Sequence, residues 1–168
     1  MPAPVDVFHW YALRTRSRHE KLVRDRLTKQ GVELLLPTLM RLSQRKDRKK
    51  TIEVPLFAGY CFARFSWQNR LLILTVPGVV SIVGNGMQPQ PIPDEEINSL
   101  KALMDSALPY DAHPYLREGM AVKVIRGPLE GVRAVLLRKD KRYRLVLSVH
   151  LIKQAAAVEI DAADVMPI

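Results

Sequence analysis

The chain has 168 residues, 48% of them hydrophobic and 26% charged, with a net charge of +9, the composition of a folded globular protein of one ordinary domain or two small ones. No apolar run approaches the roughly 18 residues that a membrane helix needs, and the start Met1-Pro2-Ala3-Pro4-Val5-Asp6 has neither the basic beginning nor the apolar core of a secretion signal, so no membrane partner and a cytoplasmic location are expected. The single cysteine, Cys61, excludes an internal disulfide, and the four scattered histidines His9, His19, His113 and His150 give no metal-ligand spacing, so neither a metal nor a cofactor is expected.

In chain order, residues 8–14 (Phe-His-Trp-Tyr-Ala-Leu-Arg) are rich in aromatic residues and predict a strand. Ser17-Arg18-His19-Glu20 has capping-box spacing: the Ser17 hydroxyl is placed to accept from the Glu20 amide, and the Glu20 carboxylate to reach back. The helix begun there has Leu22, Val23 and Leu27 as its apolar stripe and Gly31 as its stop. Arg18, Leu22, Arg26 and Lys29 fall at spacings of four, four and three, a basic ridge at the edge of that stripe. Residues 32–42 are a second strand-like run broken at Pro37, and residues 51–65 a third; between them the basic segment with Arg45, Lys46 and Arg48 reads as the tip of a long hairpin. A short apolar piece at 71–76, a strand at 79–83 and a Gly84-Asn85-Gly86 turn follow. Pro93 and the acids Asp94, Glu95 and Glu96 open a second helix carrying Ile97, Leu100, Leu103 and Met104 at helical spacing.

Residues 107–117 contain two prolines and no periodicity, and read as a linker between a first domain over 1–106 and a second over 118–168. The second domain shows five short β-type runs, near 121–125, 132–137, 143–149, 156–160 and 164–166, separated by turn-formers such as Gly127-Pro128 and Gly131. The fold class is therefore α+β, an antiparallel sheet flanked by helices followed by a small five-stranded barrel.

The positive charge is concentrated. Residues 14–50 hold 13 Lys/Arg against four Asp/Glu, which is the entire excess of +9. A charge run is commonly a solvated face; confinement of the whole excess to about a fifth of the chain points to a polyanion such as nucleic acid. Directly after it comes Pro55-Leu56-Phe57-Ala58-Gly59-Tyr60-Cys61-Phe62, where closely spaced aromatic residues around a glycine either fill a core or anchor a partner protein.

Trp10-Tyr11 in the first strand, Pro55-Leu56-Phe57-Ala58-Gly59-Tyr60 in the third, Val76-Pro77-Gly78-Val79, the prolines of 89–93, and the glycines of 119–131 occur in the order and spacing of a known family. On these residues the chain resembles NusG-type transcription elongation and antitermination factors, an N-terminal NusG domain followed by an SH3-like KOW barrel, over nearly its whole length. The resemblance implies a non-enzymatic monomer that binds RNA polymerase and suppresses pausing and termination. It assigns Phe57, Tyr60 and Phe62 to the polymerase clamp helices, and Asn69 and Arg70 to the gate loop. Phe57 and Tyr60, beside Gly59, are expected at the interface, while Phe62 is equally expected in the core and Trp10 is expected there.

Similarity to the specialised RfaH-like branch adds the non-template DNA strand as a partner, contacted by Arg26, Lys29 and Gln30. The family's barrel loop receives Rho or a small-subunit ribosomal protein through Phe-Gly-Arg; this chain has Ile152-Lys153-Gln154 there, a departure at the position that takes those partners. Turn glycines, Pro128 and β-branched strands predict a barrel for the C-terminal domain instead of the helical hairpin that RfaH can form. The leading expectation is a specialised paralogue. A general housekeeping factor and a polymerase-independent KOW-type RNA binder acting through residues 138–144 remain the alternatives; no nucleophile with a base, phosphate loop or carboxylate pair suggests an enzyme.

Overall fold

The computed structural model describes residues 7–43, 50–85, 88–115, 119–139 and 142–168. Its elements are β1 (Phe8–Thr15), α1 (Glu20–Lys29), β2 (Glu33–Leu35), β3 (Thr38–Ser43), β4 (Lys50–Pro55), β5 (Tyr60–Ser66), α2 (Arg70–Leu74), β6 (Val79–Ile82), β7 (Gly84–Asn85), β8 (Gln88–Pro89) and α3 (Asp94–Asp105). They continue as β9 (Tyr110–His113), β10 (Met120–Val124), β11 (Arg133–Lys139), β12 (Arg142–Val149), β13 (Gln154–Ile160) and β14 (Val165–Pro167). Two compact units result, one of Met1–Leu36 with Phe57–Asp94 and one of Pro37–Leu56 with Glu95–Ile168.

The first unit is an antiparallel sheet in the order β2-β5-β1-β6. Pairing of Leu13 with Cys61, Tyr11 with Ala63 and His9 with Phe65 puts the apolar members of these pairs on one face. There Tyr11, Leu13, Cys61, Ala63 and Phe65 form a core with Val23 and Leu27 of α1 and with Ile73 and Val76. The Tyr11 ring lies 4.7 Å from Phe65 and 5.4 Å from Trp67, centroid to centroid. Trp10, Ala12 and Phe62, on the opposite face of the same strands, are buried as well. This explains why β1 and β5 read as near-continuous apolar runs.

The capping box does not form. Arg18 takes a left-handed backbone conformation with φ 63°, incompatible with a first helical turn, and the helix starts at Glu20 with no side-chain cap from His19. The His19 ring instead bonds the Ser17 carbonyl, Nδ1 to O 2.8 Å, and the Glu20 carboxylate faces Gly59. Beside the N-terminal half of α1, the chain turns at Val76-Pro77-Gly78 so close to the helix that a Cβ on Gly78 (φ +103°) would lie 2.8 Å from Val23 Cγ2; only glycine fits.

In the second unit β3 and β4 pair from Thr38 with Pro55 to Ser43 with Lys50, the hairpin the sequence predicts. α3 buries Ile97, Leu100 and Leu103, and its buried Ser99 hydroxyl donates to the Glu95 carbonyl at 2.8 Å. The five expected C-terminal strands form, in the sheet order β14-β10-β11-β12-β13-β9. The sixth is a correction: Tyr110–His113, within the stretch read as a linker, pairs with β13 so that Tyr110 faces Val158 and His113 faces Ala155. Four residues between Pro109 and Pro114 are too few to show a period of two, and a proline at either side of a short edge strand removes no ladder bond.

The parting of the units also differs from a boundary at residue 106. The His150 amide donates to Glu96 Oε1 of α3 at 2.8 Å, Arg133 pairs with Glu95 at 3.7 Å, Arg41 of β3 pairs with Asp111 at 3.0 Å, and the Tyr110 hydroxyl donates to the Thr38 carbonyl. The hairpin and α3 thus group with the barrel strands.

Candidate interaction surfaces

β5 organises the candidate protein-binding residues. Before it, Leu56 to Gly59 form a turn closed by the Tyr60 amide donating to the Phe57 carbonyl at 3.1 Å. Gly59, at φ +83°, supplies the left-handed step that releases the chain into the strand. Tyr60 opens β5 opposite Arg14 and remains half-buried. Phe57 and Phe62 are 1% and 0% exposed, and their rings meet edge to face at 6.3 Å. Placed this way, Phe57 offers no side chain to a partner, which corrects its expected exposure, and Phe62 falls on the core side of the two readings; both rings lie among the buried residues. Trp10 is buried as expected.

Asn69 and Arg70 lie past the far end of the same strand and are both exposed. Arg70 is held over the Trp67 ring, 5.4 Å from its centroid, and donates to the Trp67 carbonyl at 3.1 Å. From Tyr60 to Ser66 the strand advances about 20 Å, so the two candidate contacts sit at opposite ends of one rigid element.

The basic ridge is only partly assembled. Arg18 is exposed but lies before the helix. Arg26 is half-buried and its guanidinium donates to the Pro77 carbonyl at 2.7 Å, fastening α1 to the neighbouring turn. Lys29 and Gln30, in the last turn and at the C-cap, are exposed. Arg45, Lys46 and Arg48 lie outside the described residues.

In the barrel, Val149 leads into a single 3-10 turn at His150–Ile152. Ile152 is buried, so as a contact residue it is corrected; Lys153 is exposed with φ 51°, and half-buried Gln154 begins β13. Tyr115 and His150 form an exposed pair, Oη to Nδ1 2.9 Å, that no sequence pattern signalled.

Burial pushes the Cys61 thiol up to about 12, with the nearby Glu20 charge adding to the effect, which makes it an inert core residue at neutral pH. Among the described residues no group of three or more His, Cys, Asp or Glu could hold a metal ion, and no helix is long and apolar enough to cross a membrane.

Comparison with known proteins places these features in context. The family described as "NusG: Transcription termination factor nusG" matches residues 8–101. The chain is similar to the transcription termination/antitermination protein NusG of Rickettsia bellii, at 23% identity over 95% of this chain and 90% of that protein. It is also similar to the protein of the same name from Thermus thermophilus, at 24% identity over 94% and 97% of the two chains. A solved structure described as "Domain interaction in Thermotoga maritima NusG" covers 96% of this chain and 98% of its own at a TM-score of 0.58 and 22% identity, a likeness of fold.

Proposed function

We propose, from the premise that this chain belongs to the NusG family of transcription termination and antitermination factors, that it is a non-enzymatic elongation factor that binds RNA polymerase and suppresses pausing and termination. The observation that carries this reading is the layout of β5, with Tyr60 at one end and Asn69 and Arg70 beyond the other. A protein that holds two parts of a polymerase together needs contacts set apart on an element that does not bend. Tyr60 takes the clamp helices and Asn69 with Arg70 the gate loop, while the buried Phe57 and Phe62 rings meet each other edge to face. Lys29 and Gln30, joined by Arg18, supply phosphate and base-edge contacts to the non-template strand.

Ile152-Lys153-Gln154 supports the finer reading of a specialised paralogue with a limited set of target operons. Where the family resemblance places Phe-Gly-Arg for Rho or a small-subunit ribosomal protein, the apolar residue here is buried and the exposed one is a lysine. That is a changed docking chemistry.

The test is reconstitution of the full chain with core RNA polymerase on a nucleic-acid scaffold. The expected result is a complex stable to gel filtration, longer transcripts through a pause site, and weak or absent binding to Rho and the ribosomal protein. Binding to free RNA without binding to polymerase would favour the RNA-binder instead, and tight binding to Rho the general factor.

A further inference from the structure

We propose that Glu20 is a positioning residue, whose buried carboxylate holds the Leu56 to Tyr60 turn in the conformation that presents Tyr60; the inference rests on the reading of Tyr60 as a polymerase contact. Glu20 is 5% exposed, although it is charged and stands at the start of a helix. A carboxylate so placed ordinarily caps its own helix or meets a cation. Glu20 does neither: among the described residues no cation pairs with it, and the reach-back to Ser17 is precluded by the left-handed Arg18.

What Glu20 meets is the turn. Its Oε2 accepts from the Gly59 amide at 3.4 Å, while the Gly59 carbonyl accepts from the Thr15 amide at 2.9 Å. Gly59 is thereby gripped on both sides, from α1 and from the end of β1, at the residue whose φ of +83° sets the direction in which Tyr60 leaves. Burial first, and then the Glu20 charge, raise the Cys61 thiol one residue beyond Tyr60. The helix N-terminus offsets part of the burial cost. The rest of that cost is tolerated for geometry, because a buried charge is a weak source of stability and an apolar replacement is often neutral or stabilising.

The experiment compares Glu20→Leu and Glu20→Gln in the full chain by amide hydrogen exchange, thermal unfolding and affinity for core RNA polymerase. In Glu20→Leu, exchange at Gly59 and Tyr60 is expected to accelerate about fivefold and polymerase affinity to fall about fivefold, the net worth of one ordinary hydrogen bond, as befits a 3.4 Å contact, with the unfolding midpoint unchanged or raised. Glu20→Gln keeps an acceptor oxygen and recovers most of both. Unchanged exchange at Gly59 in Glu20→Leu overturns the inference, as does faster exchange with unchanged affinity, or a Gln variant no better than Leu. Failure of the unmodified chain to bind polymerase removes the functional reading, and the exchange ratio still decides whether Glu20 holds the turn.

Discussion

Two turns of this molecule solve the same backbone problem differently. The first runs from Leu56 to Gly59 into β5, the second from His150 to Lys153 into β13, and each reaches its strand through a left-handed residue, Gly59 at φ +83° and Lys153 at φ 51°. Each has an apolar anchor just upstream, Phe57 and Ile152, and both anchors are buried. The first turn adds polar restraint from Thr15 and Glu20, and uses glycine where left-handed geometry is free of strain. The second places a lysine in that conformation, at a cost of about 1 kcal/mol, held by its own amide donating to the His150 carbonyl at 3.3 Å. A turn restrained on every side presents one fixed surface.

The largest test of this contrast removes the anchors. Phe57→Ala should destabilise the first unit by about 3 kcal/mol or more, and Ile152→Ala the second by about 2 kcal/mol or more, both by cavity formation. Denaturant unfolding followed separately in the two units would show it; a loss below about 1 kcal/mol for Phe57→Ala would mean that its ring belongs to a surface after all.

The next test exchanges the left-handed residues. Gly59→Ala should cost about 1 kcal/mol from backbone strain alone, since the nearest atom to the added Cβ, the Thr15 carbonyl oxygen, is 3.9 Å away. Lys153→Gly should stabilise by up to about 1 kcal/mol by relieving the strain. A pair of changes with the same sign would break the comparison.

The contrast also shows what the sequence could disclose. The barrel strands were legible because Val122, Val124, Val132, Val146 and Val149 repeat a pleated preference between turn glycines. The hairpin was legible because its two strands flank a basic segment. β9 was not, since its partner β13 is more than 40 residues away in the chain and strand pairing at that distance leaves no local mark. Ser17-Arg18-His19-Glu20 misled for a related reason: the spacing fits a cap, yet the long-range bond from Gly59 takes the carboxylate. The candidate site was found by its Phe57 to Phe62 motif, but the division of labour within it was not. Which aromatic is buried depends on strand register and on the face to which it assigns Phe62 and Tyr60, and both follow from tertiary packing.

Whether the half-buried Tyr60 beside a fixed turn is a polymerase contact is read most directly from the affinity of Tyr60→Ala for core RNA polymerase, measured with the unfolding midpoint of the same sample. The expected result is a Kd raised by roughly thirtyfold, about 2 kcal/mol as for an aromatic anchor, in a chain that keeps its fold. An unchanged Kd in a folded Tyr60→Ala chain would contradict it.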